Sequence, residues 1–546
     1  MKKLILAAAL SIAASAQAAP PPKPRLILAI SVDQFSSEVF NRYRSSYTAG
    51  LKTLSSGVAY PVAYQSHAAT ETCPGHSVIL TGRYPAGTGI VANSWLDPKT
   101  GKSVYCVSVP GQSDPDARGP QNMRVTTLGD WVKAAEPGAR SFAVSGKDRA
   151  AITMAGKHAD GVYWWIDGQG FGTSAYAGPA TPAVTEPAMA FDDAVLARWK
   201  AAHPALWPRL PRRCTALETP RHFGELDISG KVPPESEIAS MEGENYLKSR
   251  DFQGSLRASP LFDSLVVDFA TQIIAREKLG RGPATDVLAV SLSATDYIGH
   301  RFGNGGAEMC GQQAALDATI ARLIKAVQAQ KVPFVVVLTA DHGSTDAAER
   351  QHDHDGHAAR LDGRALVRRL NAALKTELGL SADPVAGDAD QLSIRAGGDT
   401  ALADRIQAAA LAWLKQQPEV TALFTRADIE AASVPPGTPP DMLTLVQRMR
   451  LSYDPERSGD IFAVYRERTS FGVPSKPGDT VAGHGTPWNY DRQVPILFWW
   501  PEAPADNRAA PAEVVDIAPT LASVAGIAPG GPVDGRCLDL GGNCPK

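Results

Sequence analysis

The stretch Phe334-Val335-Val336-Val337-Leu338-Thr339-Ala340-Asp341-His342-Gly343 joins an unbroken apolar run to a polar end. A short run without alternation reads as a strand buried on both faces, as in a parallel sheet. It follows an amphipathic helical pattern from Gln312 to Gln330. Two other runs have the same form. Arg25 to Val32 delivers Asp33, and Asp286 to Leu292 leads into Ser293-Ala294-Thr295-Asp296-Tyr297-Ile298-Gly299-His300. Buried strands alternating with helices predict an α/β fold, a doubly wound and mostly parallel sheet sandwiched by helices. Such sheets bind ligands beyond the carboxyl ends of their strands.

Strand neighbours point to opposite faces, so Asp341 and His342 can share a site only where the strand breaks, and Gly343 permits the break. If the chain turns helical after Ser293, Asp296 and His300 stand at i and i+4 and meet on one face, an arrangement suited to a shared metal. Ser141 to Gly146 reads as another strand, and period-two spacing then puts Lys147 and Arg149 on one side. Gly483-His484-Gly485 sets a histidine between small neighbours that let the backbone approach closely. Val494 to Trp500 is a further core strand, and a terminal helix begins within Val514 to Leu521.

Helices are expected at Leu128–Ala135 and Leu261–Arg276. Residues from about 97 to 260 otherwise hold many Pro and Gly with little periodicity, and read as an insertion or cap. A second excursion is expected over about 385 to 475, with a strand-like Gln391–Ile394 and a helix across Ala401–Lys415. Gln351-His352-Asp353-His354-Asp355-Gly356-His357 follows no buried strand, so its histidines are read as a solvated loop and not as ligands.

The chain has 546 residues, enough for two domains or one large domain with insertions. Lys plus Arg (54) nearly balances Asp plus Glu (57), which leaves no electrostatic footprint for nucleic acid. Met1-Lys2-Lys3, the apolar run to Ala14 and Ala16-Gln17-Ala18 read as an export signal over residues 1–18, ahead of one α/β domain from 19 to 546. No other stretch reaches membrane-span length. A periplasmic or secreted protein is expected, with a monomer favoured. Six cysteines in such a chain suggest disulfides, with Cys537–Cys544 the most plausible pair. Cys73 reads as a small buried residue or half of a disulfide.

Thr70-Glu71-Thr72-Cys73-Pro74-Gly75-His76-Ser77 completes the picture. Pro74 and Gly75 mark a sharp turn, and the residues after them read as the start of a helix whose free N–H groups face an anion. Thr72 then lies where a phosphate would bind, or else merely caps that helix. Asp33, Asp296 and Asp341 with His300, His342 and His484 form a donor set suited to zinc. Two such ions could clamp an in-line phosphoryl transfer.

In order, Asp33, Thr72-Cys73-Pro74-Gly75-His76, Asn93, Lys147-x-Arg149, Asp296-x-x-x-His300, Asp341-His342-Gly343 and Gly483-His484-Gly485 resemble the alkaline phosphatase superfamily. Within it the chain is most similar to the threonine-nucleophile bacterial alkaline phosphatases, from about residue 25 to 527. The resemblance implies two zinc ions. One is held by Asp296, His300 and His484, the other by Asp33, Asp341, His342 and Thr72. It also implies a phosphothreonine at Thr72 and a phosphate held by Asn93, Lys147 and Arg149. Small phosphate monoesters are the implied substrates. A nucleotide pyrophosphatase or phosphodiesterase of the same superfamily is the alternative, with an inactive binding protein a third reading that the complete ligand set disfavours. Cys73-Pro74 resembles the sulfatase motif, but Thr72 occupies the nucleophile place and His76 stands where that motif has Arg.

Overall fold

The computed structural model describes residues 21–233 and 247–545. The expected export signal, residues 1–18, lies outside them. A nine-stranded sheet forms the centre. In chain order its strands are β1 (Leu26–Val32), β2 (Val58–Tyr64), β3 (Ser141–Ser145), β4 (Gly161–Ile166), β5 (Gly170–Gly172), β6 (Asp286–Leu292), β7 (Phe334–Thr339), β8 (Gln493–Trp499) and β9 (Asp506–Asn507). Across the sheet they run β9-β2-β8-β7-β1-β6-β3-β4-β5. All run in one direction except β8, which is antiparallel to both its neighbours, and β5 at one edge. Every residue of β1, β6 and β7 is buried, which is why these three strands read as continuous apolar runs.

Helices cover the sheet. Those that position the site are α1 (Thr72–Ile79), α2 (Asp148–Ala155), α3 (Pro260–Glu277), α4 (Ala294–Phe302) and α5 (Ala307–Gln328). Helix α5 begins five residues before the expected Gln312, at a glycine cap, Gly306. Part of the stretch expected as an insertion belongs to the core, because β3, β4 and β5 all pair within the central sheet. Gly170 and Gly172 bound a strand of three residues, too short to show a period.

A second, smaller core spans Leu361 to Tyr465. There the strands Val385–Asp388, Gln391–Ile394, Val420–Thr425 and Ile461–Tyr465 form a four-stranded antiparallel sheet. Helices Gly363–Leu378 and Thr400–Leu414 supply buried Leu366, Leu370, Ile406 and Leu414 to it. The histidine-rich stretch is not a loop: helix Ala348–Asp355 runs through it, with His352 exposed. Three disulfides join Cys73 to Cys106, Cys214 to Cys310 and Cys537 to Cys544. No single helix among the described residues is long and apolar enough to cross a membrane.

Candidate active site

Register levels the ends of the three central strands, with Ser31 of β1 opposite Ser291 of β6 and Thr339 of β7. Asp33 follows β1 at once, and its N–H donates to the Leu292 carbonyl at 2.9 Å. The next residue, Gln34, adopts φ +64, an uncommon conformation outside glycine. This turn aims the Gln34 N–H at Asp341 Oδ1, 3.1 Å away. The His342 N–H donates to the same oxygen at 3.0 Å, so Asp341 Oδ2 is left to face His76 Nδ1 and His342 Nε2, 3.0 and 3.2 Å away. Gly343 allows the break after β7 because a Cβ there would lie 2.2 Å from the Tyr490 carbonyl oxygen.

Two groups of three result. Asp33, Asp341 and His342 are fully buried, and one donor atom from each lies within 4.8 Å of the others. Asp296, His300 and His484 form the second group to the same criterion. Asp296 and His300 do share a face of α4, with His300 Nε2 3.1 Å from Asp296 Oδ1. The groups adjoin, since the His342 and His484 rings stack with centroids 3.7 Å apart.

The second hydrogen bonds of the histidines fix their tautomers. Nδ1 of His300, His342 and His484 meets the carbonyl oxygens of Ala482, Gly343 and Thr70 at 2.8, 2.9 and 2.8 Å. A carbonyl only accepts, so each Nδ1 carries the proton and each Nε2 presents a lone pair inward. Asp33 Oδ1 and His342 Nε2 are buried without a hydrogen bond, and Asp296 Oδ1 and Asp341 Oδ2 face imidazole nitrogens of His300 and His76 at 3.1 and 3.0 Å. Inward lone pairs on buried carboxylates, on buried His342 and on half-buried His300 and His484, converging in threes, fit divalent cations such as zinc. His484 owes its place to Gly485, whose φ of +102 favours glycine, while Gly483 has open space around it. Close backbone approach is therefore not the reason for that pair.

Crowded carboxylates share the protonation cost. Burial and the neighbouring Asp341 push the Asp33 carboxyl up to about 7. Burial would raise Asp341 too, but His342 and His76 hold it below the usual range. Lys147 Nζ lies 2.7 Å from Asp33 Oδ2 and 2.6 Å from Asp296 Oδ2, one carboxylate of each group. Burial opposes its charge, yet these two partners raise its pKa.

Strand β3 ends at Ser145 and α2 starts at Asp148, so Lys147 and Arg149 do not alternate along a strand as the spacing predicts. Lys147 is the extended residue before the helix, and Arg149 stands in its first turn. Arg149 Nε is buried without a hydrogen bond among the described residues, and Nη1 lies 3.5 Å from Tyr105 Oη and 4.0 Å from Asp148 Oδ1.

Helix α1 starts at Thr72 itself, not after Pro74 and Gly75, and Glu71 takes the cap position. Pro is tolerated in a first turn, and Gly75 answers a tertiary need. A Cβ there would sit 2.0 Å from the Asp341 carbonyl oxygen. Both ligand groups are fastened to this segment: His484 donates to the Thr70 carbonyl, and His76 Nδ1 lies 2.9 Å from the Thr72 carbonyl and 3.0 Å from Asp341 Oδ2. His76 has no role at the level of sequence beyond its place in the Thr72 motif and its contrast with the sulfatase motif; the fold brings it to Asp341. Asn93 Oδ1 accepts the Cys73 N–H at 2.8 Å, which turns the amide nitrogen away from the helix. Asn93, His300 and His484 line a cleft of about 770 Å³ that is also lined by Asp362, Arg364 and Asp388.

Behind the site, Gln65 donates to the carbonyls of Gly75 and Ala340, so its oxygen accepts from His67 Nε2 at 3.0 Å. His67 is fully buried with Nδ1 unpartnered, and burial together with Arg492 pushes it down to about 3 from 6.5. Between those values the unfolded chain binds a proton that the folded chain does not, so stability falls as pH drops through this window. His67→Gln is expected to flatten that acid limb, by roughly 3 kcal/mol between pH 6.5 and 4 relative to wild type. Denaturant melts of both proteins across that range measure it, and parallel curves would refute it.

The sequence model of the type I phosphodiesterase / nucleotide pyrophosphatase family matches residues 27–487. The chain belongs to this family, within the alkaline phosphatase superfamily, and is a phosphoric ester hydrolase. Among curated relatives, the alkaline phosphatase PhoD of Zymomonas mobilis is 40% identical, over 97% of this chain and 90% of its own. The alkaline phosphatase PhoK of a Sphingomonas species is 40% identical over 96% and 92%. The crystal structure of the alkaline phosphatase PafA superposes with a TM-score of 0.80 at 26% identity, covering 95% of this chain and 98% of that one.

Proposed function

We propose that the protein is an exported, zinc-dependent alkaline phosphatase that hydrolyses phosphate monoesters through a phosphothreonine at Thr72. The observation that supports this reading is the fastening of both groups to the Thr70–His76 segment, in which Thr72 stands in sequence between Thr70, bonded to His484, and His76, which meets Asp341. Asp296, His300 and His484 would hold one ion and Asp33, Asp341, His342 and Thr72 the other. When bound, zinc supplies positive charge that lowers the pKa of a hydroxyl or water. Thr72 Oγ1 bonds to phosphorus as the ester oxygen leaves with the alcohol, and water then cleaves the Thr72 ester to release inorganic phosphate. Asn93, Lys147 and Arg149 hold the non-bridging oxygens. Three disulfides and the expected signal support export.

Metal analysis and turnover on purified protein test this reading. Two zinc ions per chain are expected, unchanged in a His352, His354, His357 to Ala variant, with p-nitrophenyl phosphate turned over faster than its bis-ester. Loss of one equivalent in the variant would assign those histidines a site. A faster bis-ester would favour the phosphodiesterase alternative.

A further inference from the structure

Glu71 is an acidic side chain on the wall of a cleft that must receive a phosphate dianion. Such a charge repels the substrate, so its presence calls for a reason. It makes no cap hydrogen bond to its own helix. Instead Glu71 Oε2 accepts the backbone N–H of Asn93 at 2.7 Å. Asn93 returns the contact two residues along, its Oδ1 accepting the Cys73 N–H at 2.8 Å. Its carbonyl in turn accepts the Cys106 N–H at 3.0 Å, and Cys106 is bonded covalently to Cys73. Thr72 lies between the two residues that grip Asn93. The nucleophile segment and the loop bearing Asn93 are thus closed into one ring of two reciprocal hydrogen bonds, a third to Cys106 and a disulfide.

We propose that Glu71 is a positioning residue that, with the Cys73–Cys106 bridge, holds the Asn93 amide in the orientation that binds phosphate beside Thr72. This rests on the phosphatase reading above, in which Asn93 touches the phosphate. The backbone hydrogen bond sets where the Asn93 Cα stands. The Cys73 N–H sets which face of the amide is turned to the ligand, since the oxygen is engaged and only the donor nitrogen remains. Without the carboxylate the loop can pivot, and the amide donor is no longer preorganised.

The test is a double-mutant cycle read through the inhibition constant of inorganic phosphate, with zinc content and melting temperature measured on every protein. Glu71→Ala is expected to weaken phosphate binding about tenfold, and by less than about twofold when Asn93 is already Ala. Glu71→Gln, whose amide oxygen still accepts the Asn93 N–H, should recover binding to within about threefold of wild type. Zinc content should not change. Multiplicative losses in the double variant, or unaltered phosphate binding in Glu71→Ala, would overturn the proposal. So would weak binding in Glu71→Gln equal to that in Glu71→Ala, since charge rather than the acceptor would then matter. A wild-type protein that neither binds inorganic phosphate nor hydrolyses a monoester would instead overturn the phosphatase reading.

Discussion

Thr72→Ala is expected to lower kcat/KM for p-nitrophenyl phosphate at least about a thousandfold, with the fold and most of the zinc retained. Thr72 is buried at the first position of α1, between a carbonyl that holds His484 and a helix turn that carries His76 to Asp341. The substitution removes the hydroxyl and the γ-methyl but none of those contacts, which use the carbonyls of Thr70 and Thr72 and the side chains of His76, Asp341 and His484. A purely structural Thr72 would therefore cost little. Acid quenching of the wild type with a labelled monoester should leave label on Thr72 and on no other residue. Label elsewhere, or near-normal turnover by the alanine variant, would refute the nucleophile assignment.

Replacing Lys147 and Arg149 together by Ala is expected to lower monoester kcat/KM at least about a hundredfold while the diester rate changes far less. A monoester dianion spreads nearly two charges over three non-bridging oxygens, whereas a diester carries one charge over two. Each charge-assisted hydrogen bond to the extra oxygen contributes roughly 1.5 to 3 kcal/mol, with coupling between the two because they share one ligand. Lys147 already stands between Asp33 and Asp296, at the junction of the two ligand groups. Its removal takes positive charge away from those carboxylates, so zinc content should not fall. Parallel losses on both substrates would mean that the pair binds uniformly or is structural.

The ligand-bearing strands were legible because burial on both faces erases alternation, leaving β1, β6 and β7 as apolar runs that end in Asp33, Ser293 and Ala340. The i, i+4 pair of Asp296 and His300 was legible for the same reason of simple geometry. What escaped depends on contacts remote in sequence. Pro74 and Gly75 have turn chemistry, but the Asp341 carbonyl packed against Gly75 makes them the first turn of a helix. Lys147 and Arg149 obeyed no strand period because the helix begins between them. Residues 141–172 looked like a cap because Gly170–Gly172 is short and Trp164 and Trp165 adjoin, although all three of their strands lie in the central sheet. The grip of Glu71 on Asn93 spans 22 residues that include α1 and the helical turn Pro85–Thr88, and no periodicity reports it.

Strand β8 has a consequence for the order of assembly. It lies between β2 and β7, so Val58–Tyr64 and Phe334–Thr339 have no partner on their facing edges until Gln493–Trp499 has been made. His484 comes only nine residues before β8, counting from 484 to 493. Until residues 484–499 are in place, two strand edges stay open and Asp296 and His300 lack His484, and that one segment supplies both closures. Pairing at that sequence separation is slow, and open edges invite wrong partners while they wait. Residues 484–499 thus couple two closures in one short stretch: the sheet gains its missing strand where the second group of three gains its third member.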